Sequence, residues 1–86
     1  MFELILSDLA SNFYHSANDK LAVKLNLVFK SISENPYYGP NIKKLRGKLE
    51  GKWSCSLGAD IRMVYEIDDD KKEIVVVAVG SHKVYL

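Results

Sequence analysis

Eighty-six residues, 48% of them apolar, supply one hydrophobic core and exclude a second domain, and twelve Lys and Arg against eleven Asp and Glu leave a net charge of only +1. Any grip on a polyanion must therefore come from a local patch and not from the overall field of the molecule. No apolar run approaches the roughly 18 residues of a membrane span and no signal-peptide pattern is present, which points to a cytoplasmic protein with no membrane partner, while lone Cys55 can form neither an internal disulfide nor a CxxC pair and belongs in a core.

Residues 2–6, FELIL, alternate weakly as a short strand, and Ser7 and Asp8 have the chemistry of a helix start. Leu9 and Phe13 are four apart, as on one helical face, before the stretch from Ser16 to Asp19 punctuates the pattern. From Asp19 to about Ser33, Leu21, Ala22, Leu25, Val28, Phe29 and Ile32 fall on one stripe, which predicts an amphipathic second helix. Asn35-Pro36 ends it, because the residue before proline is driven out of the helical region. His15 belongs on the surface of the first helix. The stretch YYGPNIKKLRGKLEG, residues 37–51, carries enough apolar side chains to be an ordered loop. Its GKLEGK is no phosphate loop, since it lacks both the GxxxxGK[ST] spacing and a preceding strand.

The last third is all strand. In KWSCSLGADIRMVYEI, Trp53, Cys55 and Leu57 share one face, and so do Ile61, Met63, Tyr65 and Ile67. A three-residue turn, Gly58-Ala59-Asp60, sets Leu57 against Ile61, Cys55 against Met63 and Trp53 against Tyr65. The opposite face then pairs Ser56 with Arg62, Ser54 with Val64 and Lys52 with Glu66. A second hairpin turns at Asp69-Asp70-Lys71-Lys72, and pairing Asp68 with Glu73 places Ile61 against Gly80 and Arg62 against Val79. On that register His82, Lys83 and Tyr85 leave the sheet at the end that bears Arg62, Ser56 and Asp60. Just before the sheet, residues 43–52 hold Lys43, Lys44, Arg46, Lys48 and Lys52 against a single acid, Glu50, so a nearly neutral chain still presents cations in one region. The expected fold class is α+β: one small domain over 1–86, in the order β-α-α-β-β-β, with an antiparallel meander packed against two helices.

That arrangement, with LRG-x3-GKW before the first meander strand, IRMVYEI in the second and VGSH-x2-Y after the third, resembles the RelE/ParE superfamily of bacterial toxins from type II toxin–antitoxin systems. The resemblance spans essentially the whole chain. CSLGADIRMVY and the GSH ending are similar to the YafQ-like branch. The resemblance implies a ribosome-dependent, metal-independent mRNA endonuclease that inhibits translation, uses no cofactor, and is neutralised by a cognate antitoxin protein. Cutting RNA without a metal needs a base for the 2′-hydroxyl, an acid for the leaving 5′-oxygen and cations around the phosphorane. His82 has the side chain whose ordinary pKa is nearest neutrality. Arg62 offers a planar guanidinium for phosphate oxygens. Tyr85 can stack on an unpaired base or orient the 2′-hydroxyl, and Asp60 matches the acidic position of the YafQ-like pattern. Lys43, Lys44, Arg46, Lys48, Lys52, Ser54, Ser56 and Lys83 complete an expected RNA-binding set.

This chain departs from the family pattern at several places. Ser56 replaces a second histidine of the YafQ-like branch, Ser54 and Ser56 replace lysines of RelE-like members, and Lys43 stands where a further histidine is found near LRG. The aromatic residue comes three positions after His82 instead of four. Each group also has a plainer reading: His82 as a solvated residue, Arg62 as a cross-strand partner or a salt-bridge partner of Glu66, Asp68 to Asp70 as a solvated hairpin tip without calcium-ligand spacing, and the basic loop as a solvated face. A ParE-like toxin that binds DNA gyrase without enzymatic action, and a degenerate toxin retaining only antitoxin binding, are the alternative functions.

Overall fold

The computed structural model describes residues 1–58 and 60–81. Strand β1 (Glu3–Leu6) runs straight into helix α1 (Asp8–Ser16), and the joint is Ser7, whose hydroxyl accepts from the Ala10 amide at 3.1 Å as a helix cap. Helix α2 (Asp19–Glu34) is capped in the same way by Asn18, whose side chain accepts from the Leu21 amide. It ends where expected, with Asn35 driven to φ −151° in front of Pro36.

The remaining strands are β2 (Ile42–Lys44), β3 (Lys52–Ser56), β4 (Ile61–Asp68) and β5 (Glu73–Ser81), which with β1 form one five-stranded sheet in the order β1-β5-β4-β3-β2. The three-strand meander predicted from the sequence is present. Strand β1 adds to it parallel to β5, with Leu4 beside Ile74 and Leu6 beside Val76, and β2 adds antiparallel to β3. Strand β2 lies within the stretch read as loop. It is three residues long, two of them lysines, and forms one sheet edge, a place where short charged strands resist unwanted pairing but leave little sequence pattern.

Between β3 and β4 the register is the one the side-chain pattern predicts, from Lys52 opposite Glu66 to Ser56 opposite Arg62. Gly58 opens the turn at φ +91°, a region that favours glycine. Between β4 and β5 the register holds from Asp68–Glu73 to Tyr65–Val76 and then shifts by one residue, so that Arg62 pairs with Gly80 and Ile61 with Ser81, not with Val79 and Gly80. A bulge at Val77 causes the shift. Unbulged pairing would put small Ala78 beside Met63 and point Val79 at Arg62. With the bulge, Val79 is buried beside Met63, and Arg62 faces a glycine. The uniformly apolar run from Ile74 to Ala78 carries no polar residue to mark which side chain lies outside the ladder.

Ser7 also fixes this bulge. Its hydroxyl donates to the Val77 carbonyl at 2.6 Å while its amide bonds the Val76 carbonyl. One side chain thus closes a helix end and a strand irregularity 70 residues away. Ser7→Ala is expected to cost about 1–2 kcal/mol, read as a melting temperature lower by roughly 5–10 °C.

Both helices cover one face of the sheet. Leu25 and Ile32 of α2 and Ala10 of α1 pack with Cys55, Leu57, Met63, Tyr65, Ile74, Val76 and Val79 in one buried cluster, flanked by half-buried Leu21, Val28 and Phe29. The predicted stripe of α2 is therefore the buried one. In α1 it is Ala10 that is buried and Phe13 that packs beside the core, while Leu9 stays 70% exposed. Buried Tyr65 donates its hydroxyl to the Pro36 carbonyl at 2.7 Å and so ties the segment after α2 to the core.

Candidate functional site

The face of the sheet away from the helices carries Lys43 of β2, Ser54 and Ser56 of β3, and Arg62 of β4 on neighbouring strands, since Lys43 is registered with Ser54 and Ser56 with Arg62. Arg62 Nη1 donates to Ser56 Oγ at 3.0 Å and to its neighbour's carbonyl, that of Ile61, at 3.2 Å. Ser56 Oγ also receives the Gly58 amide at 3.4 Å, so both hydrogen bonds are accepted and the hydroxyl's own proton is directed elsewhere. Ser54 is buried between Lys43 and Val64. Together with Pro40, Asn41 and Ile42, these four residues line an open groove of about 610 Å³. Two cations and two hydroxyls along one groove suit an oxyanion with several acceptor oxygens, and a phosphodiester is such a group.

Asp60 lies exposed in the turn two residues before Arg62, with no side-chain hydrogen bond among the described residues. Ser81, the last described residue of β5, is paired with Ile61 beside Arg62. His82, Lys83 and Tyr85, predicted to join Arg62, lie outside the described residues. The basic stretch is divided by the sheet. Lys43 lines the groove, whereas Lys44 projects to the other side, its Nζ 5.8 Å from the centre of the Trp53 ring. Arg46 and Lys48 are exposed in the turn that joins β2 to β3, at the Lys52 end of β3. Four residues of strand, about 13 Å, separate that end from Ser56. Pro40, Asn41 and Ile42 are groove walls that the sequence reading did not include; apart from the turn chemistry of Gly39-Pro40-Asn41, nothing in the sequence marks them.

The core side of the same strands is electrostatically quiet. Burial pushes the Cys55 thiol up, and burial followed by the nearby Cys55 pushes the Tyr65 phenol up. Both groups stay neutral at physiological pH. At the far hairpin, hydrogen bonding to the Asp69 carboxylate pushes Tyr37 up to about 12. Asp69 also pairs with Lys72 at 3.9 Å, and Asp68 accepts from the Lys71 amide at 3.0 Å, so two of the three acids at the tip help order their own turn.

No helix is long and apolar enough to cross a membrane among the described residues. A family model described as the ParE toxin of the type II toxin–antitoxin system, parDE, matches residues 2–84. Toxin YoeB from Synechocystis sp. is 27% identical over 71 residues, which are 81% of this chain and 80% of that relative. The YoeB–YefM complex from Staphylococcus aureus contains a chain 28% identical, with a TM-score of 0.79 over 95% of this chain and 98% of that one. The YoeB/ParE toxin from Agrobacterium tumefaciens has the same fold at 20% identity, with a TM-score of 0.85 over 94% of this chain and 99% of its own. The Escherichia coli RelBE toxin–antitoxin complex also shares it, at 23% identity and a TM-score of 0.80 over 94% and 96% of the two chains. With residues 2–84 matched by the family model, the chain belongs to the ParE toxin family of type II toxin–antitoxin systems and folds as the YoeB and RelE toxins do.

Proposed function

We propose that the protein is a ribosome-dependent, metal-independent mRNA endonuclease that inhibits translation and is silenced by a cognate antitoxin. The observation that carries this reading is the Arg62 guanidinium, fixed by the Ser56 hydroxyl at 3.0 Å beside Lys43 in an open groove. In the proposed reaction the 2′-hydroxyl attacks the adjacent phosphorus and the bond to the 5′-oxygen breaks, giving a cyclic phosphate and a 5′-hydroxyl end. Arg62 and Lys43 hold the non-bridging oxygens as charge builds on them. Ser56 holds Arg62 in place and offers its hydroxyl as a hydrogen-bond donor to the same phosphate, without giving up the proton. His82 transfers the proton, with Asp60 and Tyr85 orienting it and the sugar.

A protein antitoxin as partner is supported by the relatives solved with YefM and with RelB. The exposed cations Lys44, Arg46 and Lys48, standing apart from the groove, suit an acidic antitoxin segment. Reversing all three to Glu is expected to weaken antitoxin binding by about tenfold or more, and raising the salt from 50 to 500 mM should weaken the wild-type complex in the same sense. Affinity indifferent to both changes would remove this electrostatic account. The family model, described as a ParE toxin, favours a second reading in which the target is a protein such as DNA gyrase. Induced expression in bacteria followed by primer extension on translated mRNA separates the two. New 5′ ends within coding regions, dependent on translation, support the endonuclease, whereas growth arrest with intact mRNA supports the second reading.

A further inference from the structure

We infer that the cavity between α2 and the segment from Gly39 to Ile42 receives one unstacked base of the strand whose phosphate lies on Arg62, and so selects which sequences are cut. The inference rests on the endonuclease reading. The cavity holds about 140 Å³ on the helix side of the sheet, with Val28, Ser31 and Ile32 of α2 on one wall and Ile42 and Cys55 on another. It shares Pro40, Asn41, Ile42 and Ser56 with the Arg62 groove, and Ser56 Oγ is the atom that receives Arg62 Nη1 at 3.0 Å. The two spaces therefore meet around the Ser56 end of β3. A nucleotide with its phosphate at Arg62 has the cavity next to it.

Size and lining select the occupant. The volume is well below the roughly 300 Å³ at which pockets for drug-sized ligands begin, which leaves room for a planar ring system and none for sugar and phosphate. Val28, Ile32 and Ile42 supply apolar walls for the faces of a base. The Ser31 hydroxyl and the Asn41 amide stand at the exposed rim, and neither side chain bonds another described residue. An amide presents a donor and an acceptor side by side, the pattern that reads the edge of a base. RNA sequence is ordinarily read from bases splayed out of their stack in this way.

The test uses purified protein and ribosomes carrying a pool of mRNAs with one randomised codon, with cut sites read by sequencing the new ends. Ser31→Leu fills the mouth from an exposed helical position, and Asn41→Ala removes the amide without adding bulk. Both variants are expected to cut the preferred codons about tenfold more slowly while poorly cut codons change little, so that the ranking flattens. Circular dichroism and antitoxin affinity should keep their wild-type values. A wild type that cuts, with both variants preserving its ranking, overturns the pocket and leaves the endonuclease standing. A wild type that cuts no RNA overturns both.

Discussion

Met63→Asp leaves no cooperatively folded protein at 25 °C. Met63 is fully buried on β4, registered between Cys55 of β3 and Val79 of β5, in the cluster with Leu25 and Ile32. A carboxylate there has no cation within the cluster, and burying an unpaired polar or charged group costs several kcal/mol. A domain of this size has about 5–15 kcal/mol of net stability to lose. Far-ultraviolet circular dichroism and thermal melting read the outcome, with Glu66→Ala, three residues along the strand but exposed, as a folded control. A Met63→Asp protein with a wild-type melt would place the helices on the wrong face of the sheet.

Arg62→Ala lowers mRNA cleavage by about 10²–10³-fold, the usual scale for removing a group that binds charge developing in a transition state. The side chain is half-buried on the open face, so the substitution removes few core contacts and both fold and antitoxin binding should persist. Arg62→Lys keeps the charge without the planar fork and should recover only part of the rate. His82→Ala is expected to match Arg62→Ala, since proton transfer by a positioned side chain contributes about 10²–10⁴-fold. Ser56→Ala should fall well short of either. A serine with no neighbouring base neither takes nor gives a proton readily, and its loss lets Arg62 move without removing the guanidinium. Growth after induction reports the same order in cells, with Arg62→Ala and His82→Ala harmless and Ser56→Ala still toxic.

What the sequence revealed and what it hid follow from how strongly a residue pattern commits a backbone. Ser7, Asn18 and Asn35-Pro36 mark helix boundaries through local chemistry, and the structure has all of them in place. The alternation in residues 53–67 fixes a register because a slip of β3 by one would turn Ser54 and Ser56 toward the helices and Cys55 away from them, while Met63 stayed in the core. The same reasoning fails from Ile74 to Ala78, where every side chain is apolar and either face accepts it. There the bulge at Val77 is held by a hydrogen bond from Ser7, a residue 70 positions away in the chain. Strand β2 went unseen because Ile42, Lys43 and Lys44 are too few to show a period. Without it, the cations of residues 43–52 looked like one patch. Pairing Lys43 with Ser54 and Lys44 with Trp53 sends the first into the groove and the second to the opposite side.

Single-turnover cleavage of 5′-labelled mRNA bound to ribosomes, with purified toxin in excess, bears most directly on the Arg62 groove as the cutting site. The account predicts rapid cleavage by the wild-type protein in buffer containing a chelator that leaves the ribosomes intact, and a rate lower by about 10² or more for Arg62→Ala under identical conditions. Equal rates for the two proteins would contradict it.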